Sequence, residues 1–323
     1  MALHLPDRRL RLAYFGTPEL ARVILAAILE ADQDDVALVV CQPDKPKGRG
    51  NKVEAPPTKE LALARGIPVL QPTKMKDGVL TAAIKEAKID LAIVAAFGRI
   101  LPQDLLDAPT FGCWNVHASI LPRHRGASPI QQCLLDGDEK TGVTLMQMTL
   151  GLDEGPMLLV QEIDIARDET TTSLSAKLAT LGATVALRGI HAAKHEGLEV
   201  RPQDNAHASF APIIEKSAGR IELSRPAEVL DRQIRALNPW PSTWIELSEG
   251  SEPLKVISAV PRADISGTPG RVLDTKNTLL IATGAGALEV REVQPPGKRP
   301  MPVADYLRGA GRSLAIGTLL PHR

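Results

Sequence analysis

Apolar and polar positions follow a repeating scheme through about residue 165, with short apolar runs separated by longer stretches of helical period. Residues 10–15 read as a strand, and Gly16-Thr17-Pro18-Glu19 then opens a helix. Pro18 suits the first helical position, where its missing N–H costs nothing, and Glu19 suits the positive end of the helix dipole. Val23, Ile24, Ala27 and Ile28 predict the buried face of that helix. The β-branched run 36–41 is the next strand, and 91–95, 113–117 and 143–148 continue the series, with helical stretches such as 80–88 between them. Fully apolar strands separated by helices predict a parallel sheet covered on both faces. The expected class is therefore α/β and Rossmann-like, with its site at the carboxyl ends of the strands. No GxGxxG follows the first strand, so a dinucleotide gets little support.

A further helix spans 173–193, with Leu174, Leu178, Leu181 and Val185 along one face. The texture then changes. Residues 196–212 are polar, contain Pro202 and Pro212, and keep no period, which reads as a linker. Beyond about residue 221 the runs are short and β-like (254–259, 270–273, 278–283, 287–293), with turns at 267–270 and 284–286 and a helix at 226–237 ahead of them. A small closed, OB-like β-barrel domain is expected there. The division is 1–200 for the α/β domain, 201–212 for the linker and 213–323 for the barrel.

Composition narrows the class without changing this picture. A chain of 323 residues accommodates two domains, and 44% hydrophobic with 24% charged residues is ordinary for a globular protein. Aromatics are only 3%, so aliphatic side chains must build the core. The formal net charge is +0, so any polyanion site must be a local patch. Cys41, Cys113 and Cys133 lack CxxC spacing and neighbouring histidines, and read as buried thiols of a reducing compartment. Neither a membrane span nor a secretory h-region is recognisable, and a cytoplasmic location is the expectation.

The densest polar cluster in an apolar stretch is Asn115-Val-His117-Ala-Ser119-Ile-Leu-Pro122, where a strand ends and a loop begins. Strand alternation puts Asn115 and His117 on one face, about 7 Å apart, so that they could bracket one small substrate carbon. Structural backbone bonds for Asn115 and a satisfied core position for His117 are the alternative. Gly151-Leu-Asp153-Glu-Gly155 supplies an acidic loop whose glycines permit a tight turn near a ligand. Asp153 could orient a histidine and hold its charged form, or simply make an Asx-turn. Local sequence does not separate these.

The run from Asn115 through Pro122-Arg-His-Arg125-Gly126 resembles the signature of the 10-formyltetrahydrofolate-dependent formyltransferases. Thr141-Gly-Val-Thr144 and Gly151-Leu-Asp153 are similar to the same family in order and spacing. Phe15-Gly-Thr-Pro18, the stretch 42–50 and Asn238-Pro-Trp-Pro241 resemble more specifically those members that formylate the methionine of an initiator tRNA. Ile120 and His124 depart from the usual residues. His124 stands where an aromatic is common, which implies a looser stack near the folate or a surface position. The resemblance implies direct transfer: an acceptor amine attacks the formyl carbon of 10-formyltetrahydrofolate, Asn115 and charged His117 donate to the oxyanion, and Asp153 supports His117. It also implies that Ser119, Ile120, Leu121 and Pro122, with Phe97 and Gly98, line the pterin pocket. No metal is implied.

The acceptor is decided by the appendages. Lys45, Lys47, Arg49, Lys52 and Lys59 stand against only Asp44 and Glu54 in 42–59, a basic loop suited to an RNA acceptor stem. The plainer reading is a solvated surface loop. In the C-terminal domain, Lys298 and Arg299 belong to a basic stretch that suits the tRNA body, while Trp240 would fasten the preceding helix to the barrel or stack on a base. The resemblance thus implies a cytoplasmic, monomeric enzyme acting on initiator methionyl-tRNA, for bacterial-type translation initiation. A formyltransferase for an amino-sugar nucleotide and a non-catalytic RNA-binding protein are the rivals. A glycinamide ribotide acceptor would need neither the second domain nor the basic loop.

Overall fold

The computed structural model describes residues 2–47 and 52–321; Arg49 and the side chains of Lys47 and Lys52 lie outside the described residues. Two compact units emerge. The first comprises Met1–Pro129, Lys140–Asp164 and Ser175–Pro212, and the second Ile130–Glu139, Ile165–Leu174 and Ile213–Arg323.

The first unit is built on a sheet whose strands are β1 (Arg11–Gly16), β2 (Asp35–Val40), β3 (Val69–Leu70), β4 (Leu91–Ala95), β5 (Cys113–His117), β7 (Lys140–Gln147) and β8 (Met157–Asp164), the two-residue strand β6 (Arg125–Gly126) lying apart. The spatial order is β8-β7-β5-β4-β1-β2-β3. β3, β2, β1, β4 and β5 run parallel, as the apolar runs predict for all but β3, whose two residues are not among those runs. β7 does not: it lies antiparallel to both β5 and β8. Its apolar sequence reports burial on both faces, and burial carries no information about strand direction. β8 escaped sequence reading because it is an edge strand with exposed Glu162 and Asp164.

Helix α1 (Glu19–Ala31) follows β1, with Pro18 at its N-cap, one position ahead of the expected place. Ala21, Ile24, Leu25 and Ile28 are its buried residues, whereas Val23 and Ala27 are half-buried. Helices α2 (Pro57–Ala64), α3 (Val79–Glu86) and α4 (Pro129–Asp136) precede the long α5 (Thr171–His195). Phe15, Val40, Ile84, Val94 and Phe97 share one apolar cluster. The three cysteines are free and buried, and burial pushes the thiols of Cys41 and Cys113 up to about 11 and about 12.

Residues 201–212, expected as a linker, are bonded into the first unit. Arg201 and Met157 exchange backbone hydrogen bonds, and β9 (Phe210–Ala211) runs parallel to β6. Most of its residues are exposed, but Gln203 and Ser209 turn inward and bond the backbone of neighbouring loops.

In the second unit, α6 (Ala227–Leu237) accompanies β10 (Thr243–Ile245), β11 (Leu254–Arg262), β12 (Val272–Asp274), β13 (Leu279–Ala282), β14 (Ala287–Gln294) and β15 (Met301–Pro302). The antiparallel order is β10-β11-β14-β13-β12, with β15 on β14; no ladder joins β12 to β10 among the described residues. Leu230, Ile234, Val256, Ile281, Leu288 and Val290 fill its core. The fastening of α6 expected of Trp240 is performed by Asn238. The Nδ2 of Asn238 donates to the Ile234 carbonyl at 2.9 Å and lies 3.2 Å from the Val256 carbonyl oxygen. No helix among the described residues is long and apolar enough to cross a membrane.

A buried ion pair ties α5 to the start of the sheet. Asp34 Oδ1 accepts from Lys194 Nζ at 2.5 Å and from the Leu10 amide at 2.8 Å, and both side chains are less than a tenth exposed. Lys194→Met strands a buried carboxylate and is expected to cost about 3–5 kcal/mol in urea unfolding. A loss under about 1 kcal/mol would equate the pair with an exposed one.

Candidate active site

Asn115, His117 and Asp153 meet at the carboxyl end of β5. Asn115 and His117 stand on β5 opposite Met146 and Thr144 of β7, and both are buried. The loop between β7 and β8 brings Asp153 to them. Its Oδ1 accepts from Asn115 Nδ2 at 3.2 Å, and its Oδ2 accepts from the Gly126 amide at 2.9 Å and lies 3.6 Å from His117 Nδ1. That last separation is longer than a hydrogen bond, so it is an ionic contact when the ring is charged. His117 Nε2 lies 3.0 Å from the His124 carbonyl oxygen. A carbonyl can only accept, so Nε2 carries hydrogen, and Nδ1 is the nitrogen left to meet a ligand.

The Asp153 side chain is only 14% exposed, and its backbone sits at φ 51, which an Asp tolerates better than most residues. Two close backbone approaches hold the loop. A Cβ at Gly155 would lie 1.9 Å from the Gln147 carbonyl oxygen, and one at Gly126 (φ +122) 2.6 Å from the Ala211 carbonyl oxygen. Glycine is therefore required at both.

The turn after β5 uses its own polar groups. Ser119 is fully buried and its hydroxyl donates to the Arg123 carbonyl at 2.6 Å. Thr144 Oγ1 donates to the Ser119 carbonyl at 2.7 Å and accepts from the Leu121 amide at 3.1 Å. Leu121 is buried, whereas Ile120 and Pro122 remain half-exposed. The Leu121–Pro122 peptide is cis. His124 is buried, contrary to a surface position, and its amide donates to Ser209 Oγ at 2.9 Å. The Phe97 ring packs edge-on against Phe15, centroids 5.4 Å apart, in the apolar core. Its carbonyl accepts from Gln42 Nε2 at 2.8 Å, and Gly98 follows at φ +72.

Gln42 also roots the basic loop, part of which is a two-stranded ribbon pairing Lys45–Lys47 with Lys52–Glu54. Lys45 is exposed and donates to Gln42 Oε1 at 2.8 Å. Lys59 is not available as a free cation, because its ammonium donates to both Asp44 oxygens, at 2.9 and 2.8 Å, and to Gln71. Hydrogen bonds from Lys59 and Gln71 hold the Asp44 carboxyl below its usual range. Lys298 and Arg299 are exposed on the turn between β14 and β15 of the second unit.

Comparison with known proteins shows the family of the chain. Residues 10–190 match the family model described as formyl transferase, and residues 213–311 match the formyl transferase C-terminal domain. The chain belongs to the formyl transferase family. It is similar to the methionyl-tRNA formyltransferase of Myxococcus xanthus, 48% identical over 93% of this chain and 95% of the relative. That of Trichlorobacter lovleyi is 43% identical over 97% and 98%. Among solved structures, HypX from Aquifex aeolicus in complex with tetrahydrofolic acid shares the fold at TM-score 0.65, 16% identity, 95% of this chain and 48% of that one. An N-formyltransferase from Helicobacter canadensis, complexed with folinic acid and dTDP-3-aminofucose, does so at 0.66 and 18%, over 87% and 98%.

Within this formyltransferase, sequence reading missed Gln203 and the use made of Arg125. Gln203 Nε2 donates to the carbonyls of Asp153 and Gly155, at 2.8 and 2.7 Å. Its Oε1 accepts from Arg125 Nε and Nη2, at 3.0 and 2.8 Å, and Arg125 is buried. A lone glutamine in a polar stretch gives no local signal of this. Gln203→Glu keeps an acceptor for Arg125 but cannot donate to the two carbonyls. It is expected to lower kcat about 10- to 100-fold, through misplacement of Asp153. Full kcat in steady-state transfer would show that the loop holds without Gln203.

Proposed function

We propose that this formyltransferase moves the formyl group of 10-formyltetrahydrofolate to the α-amine of methionine on initiator methionyl-tRNA, acting as a monomer in bacterial-type translation initiation. The reading is carried by the convergence of Asn115, His117 and Asp153 in a chain 39–48% identical, nearly end to end, to relatives named methionyl-tRNA formyltransferase. Amino-sugar formyltransferases are similar at only about a fifth of positions, a level that speaks for shared fold alone.

In this reading the folate lies across the carboxyl ends of β4 and β5, against the Phe97-Gly98 backbone and the turn Ser119–Pro122, where Ile120 and Pro122 offer accessible apolar surface. The acceptor nitrogen attacks the formyl carbon, a C–N bond forms, and the carbonyl oxygen becomes an oxyanion. Asn115 Nδ2 has a second hydrogen beyond the one on Asp153, and with His117 Nδ1 it donates to that oxygen. Asp153 balances the charge of the imidazolium. The bond to N10 of the folate then breaks, and the proton lost by the amine passes to that nitrogen, giving formylated acceptor and tetrahydrofolate. The basic loop 42–59, with Lys45, Lys47, Arg49 and Lys52, meets the acceptor stem, and residues 213–323, with Lys298 and Arg299, carry the tRNA body.

Asn115→Ala is expected to slow single-turnover transfer about 10²–10³-fold, equivalent to about 2.7–4 kcal/mol of barrier. An unchanged rate would remove Asn115 from the chemistry. Charged initiator tRNA, charged elongator tRNA and an amino-sugar nucleotide, offered side by side, test the acceptor; turnover of the sugar nucleotide alone would refute the tRNA reading. Neutralising Lys298 and Arg299 together should reduce the slope of log binding constant against log salt by about 2. A constant slope would place both outside the interface.

A further inference from the structure

The second unit contains a cavity of about 510 Å3 lined by Trp240, Pro241, Trp244, Lys216, Lys255 and Glu252, among others. Trp240 is 52% exposed there. It is not loosely held. The Ser242 amide donates to the Leu237 carbonyl at 2.8 Å, and Ser242 Oγ donates to Asn238 Oδ1 at 3.1 Å. With Asn238 bonded to α6, the loop keeps a large apolar ring in water that folding would otherwise gain by burying.

Charged side chains share the cavity with the ring. Lys216 and Lys255 line the cavity, and its wall at Pro296 belongs to the turn that exposes Lys298 and Arg299. The guanidinium of Arg220 lies 5.9 Å from the Trp244 ring centroid and 3.7 Å from Glu246. Glu252 is the carboxylate in the lining. An exposed aromatic face in a cavity that also carries two lysines matches an unpaired base with its adjoining phosphates. A proline-rich peptide would use the tryptophans and prolines but has no need of the lysines.

We propose that this cavity receives an unpaired base of the RNA substrate, stacked on Trp240, with Lys216, Lys255 and the Lys298–Arg299 turn on the adjoining phosphates. The site deepens the reading of the acceptor as a tRNA and rests on it.

The chain has three tryptophans and Trp114 is fully buried, so emission changes on RNA addition report Trp240 and Trp244. The full-length protein, Trp240→Ala, Trp240→Phe and Lys255→Gln are titrated with a short single-stranded oligoadenylate and with initiator tRNA. RNA should quench the wild type to saturation, and Trp240→Ala should weaken binding about tenfold or more, with Trp240→Phe retaining most of the affinity. Lys255→Gln, a change that spares the indole, should weaken binding and flatten its salt dependence. Wild-type affinity for both RNAs in Trp240→Ala, with wild-type transfer to charged tRNA, would overturn the stacking site alone. Quenching by a proline-rich peptide but not by RNA would also overturn it. Trp240-dependent RNA binding without formylation of charged tRNA by the wild type would instead refute the acceptor and leave the site standing.

Discussion

A nearly buried carboxylate, that of Asp153, is the point on which the arrangement of the first unit turns. A charge withdrawn from water must be met by hydrogen bonds or by an opposite charge. Here the partners are the amide of Gly126, the side chain of Asn115 and the imidazole of His117, drawn from β6 and β5. The carboxylate can reach all three only because its residue takes a left-handed conformation in a loop closed tightly between β7 and β8. One ion thus fixes the relation between two strand ends and the segment beyond them.

The supports of that loop come from distant sequence. Gln203 braces the main chain of Asp153 and Gly155, and buried Arg125 braces Gln203. β9 runs along β6 so closely that residue 126 has no room for a side chain. The segment 201–212 is therefore part of the site's scaffold, and it is also the stretch of chain that leads into the second unit. Backbone bonds of its own, as between Arg201 and Met157, and the inward side chains of Gln203 and Ser209 tie this largely exposed segment down.

A division of labour between apolar and polar groups runs through both units. Aliphatic side chains fill the interiors, as a chain so poor in aromatics requires. The few aromatic rings go to different ends: Trp114 and Phe97 are buried, whereas Trp240 is held at the surface by the hydrogen bonds of Asn238 and Ser242. The cations are divided likewise: Lys194 and Lys59 are consumed by carboxylates, whereas Lys45, Lys298 and Arg299 are exposed.

The sequence by itself determined the principal apolar strands of the α/β sheet, the buried face of α5 and the β-rich character of the C-terminal residues, because each follows from local periodicity and turn chemistry. It also marked Asn115 and His117, since polar residues interrupting an apolar strand end stand out against their neighbours, and Asp153 through its glycine-flanked acidic loop. Tertiary structure decided the direction of β7, because burial of a strand does not encode its polarity. It decided that Lys59 is neutralised, that His124 is buried and that Phe97 turns its ring inward, because each depends on partners far along the chain. It decided, above all, that residues 201–212 belong to the site and that Trp240 faces outward. A hydrogen bond between residues 50 or 78 positions apart leaves no periodic trace in sequence, and only the folded chain brings its ends together.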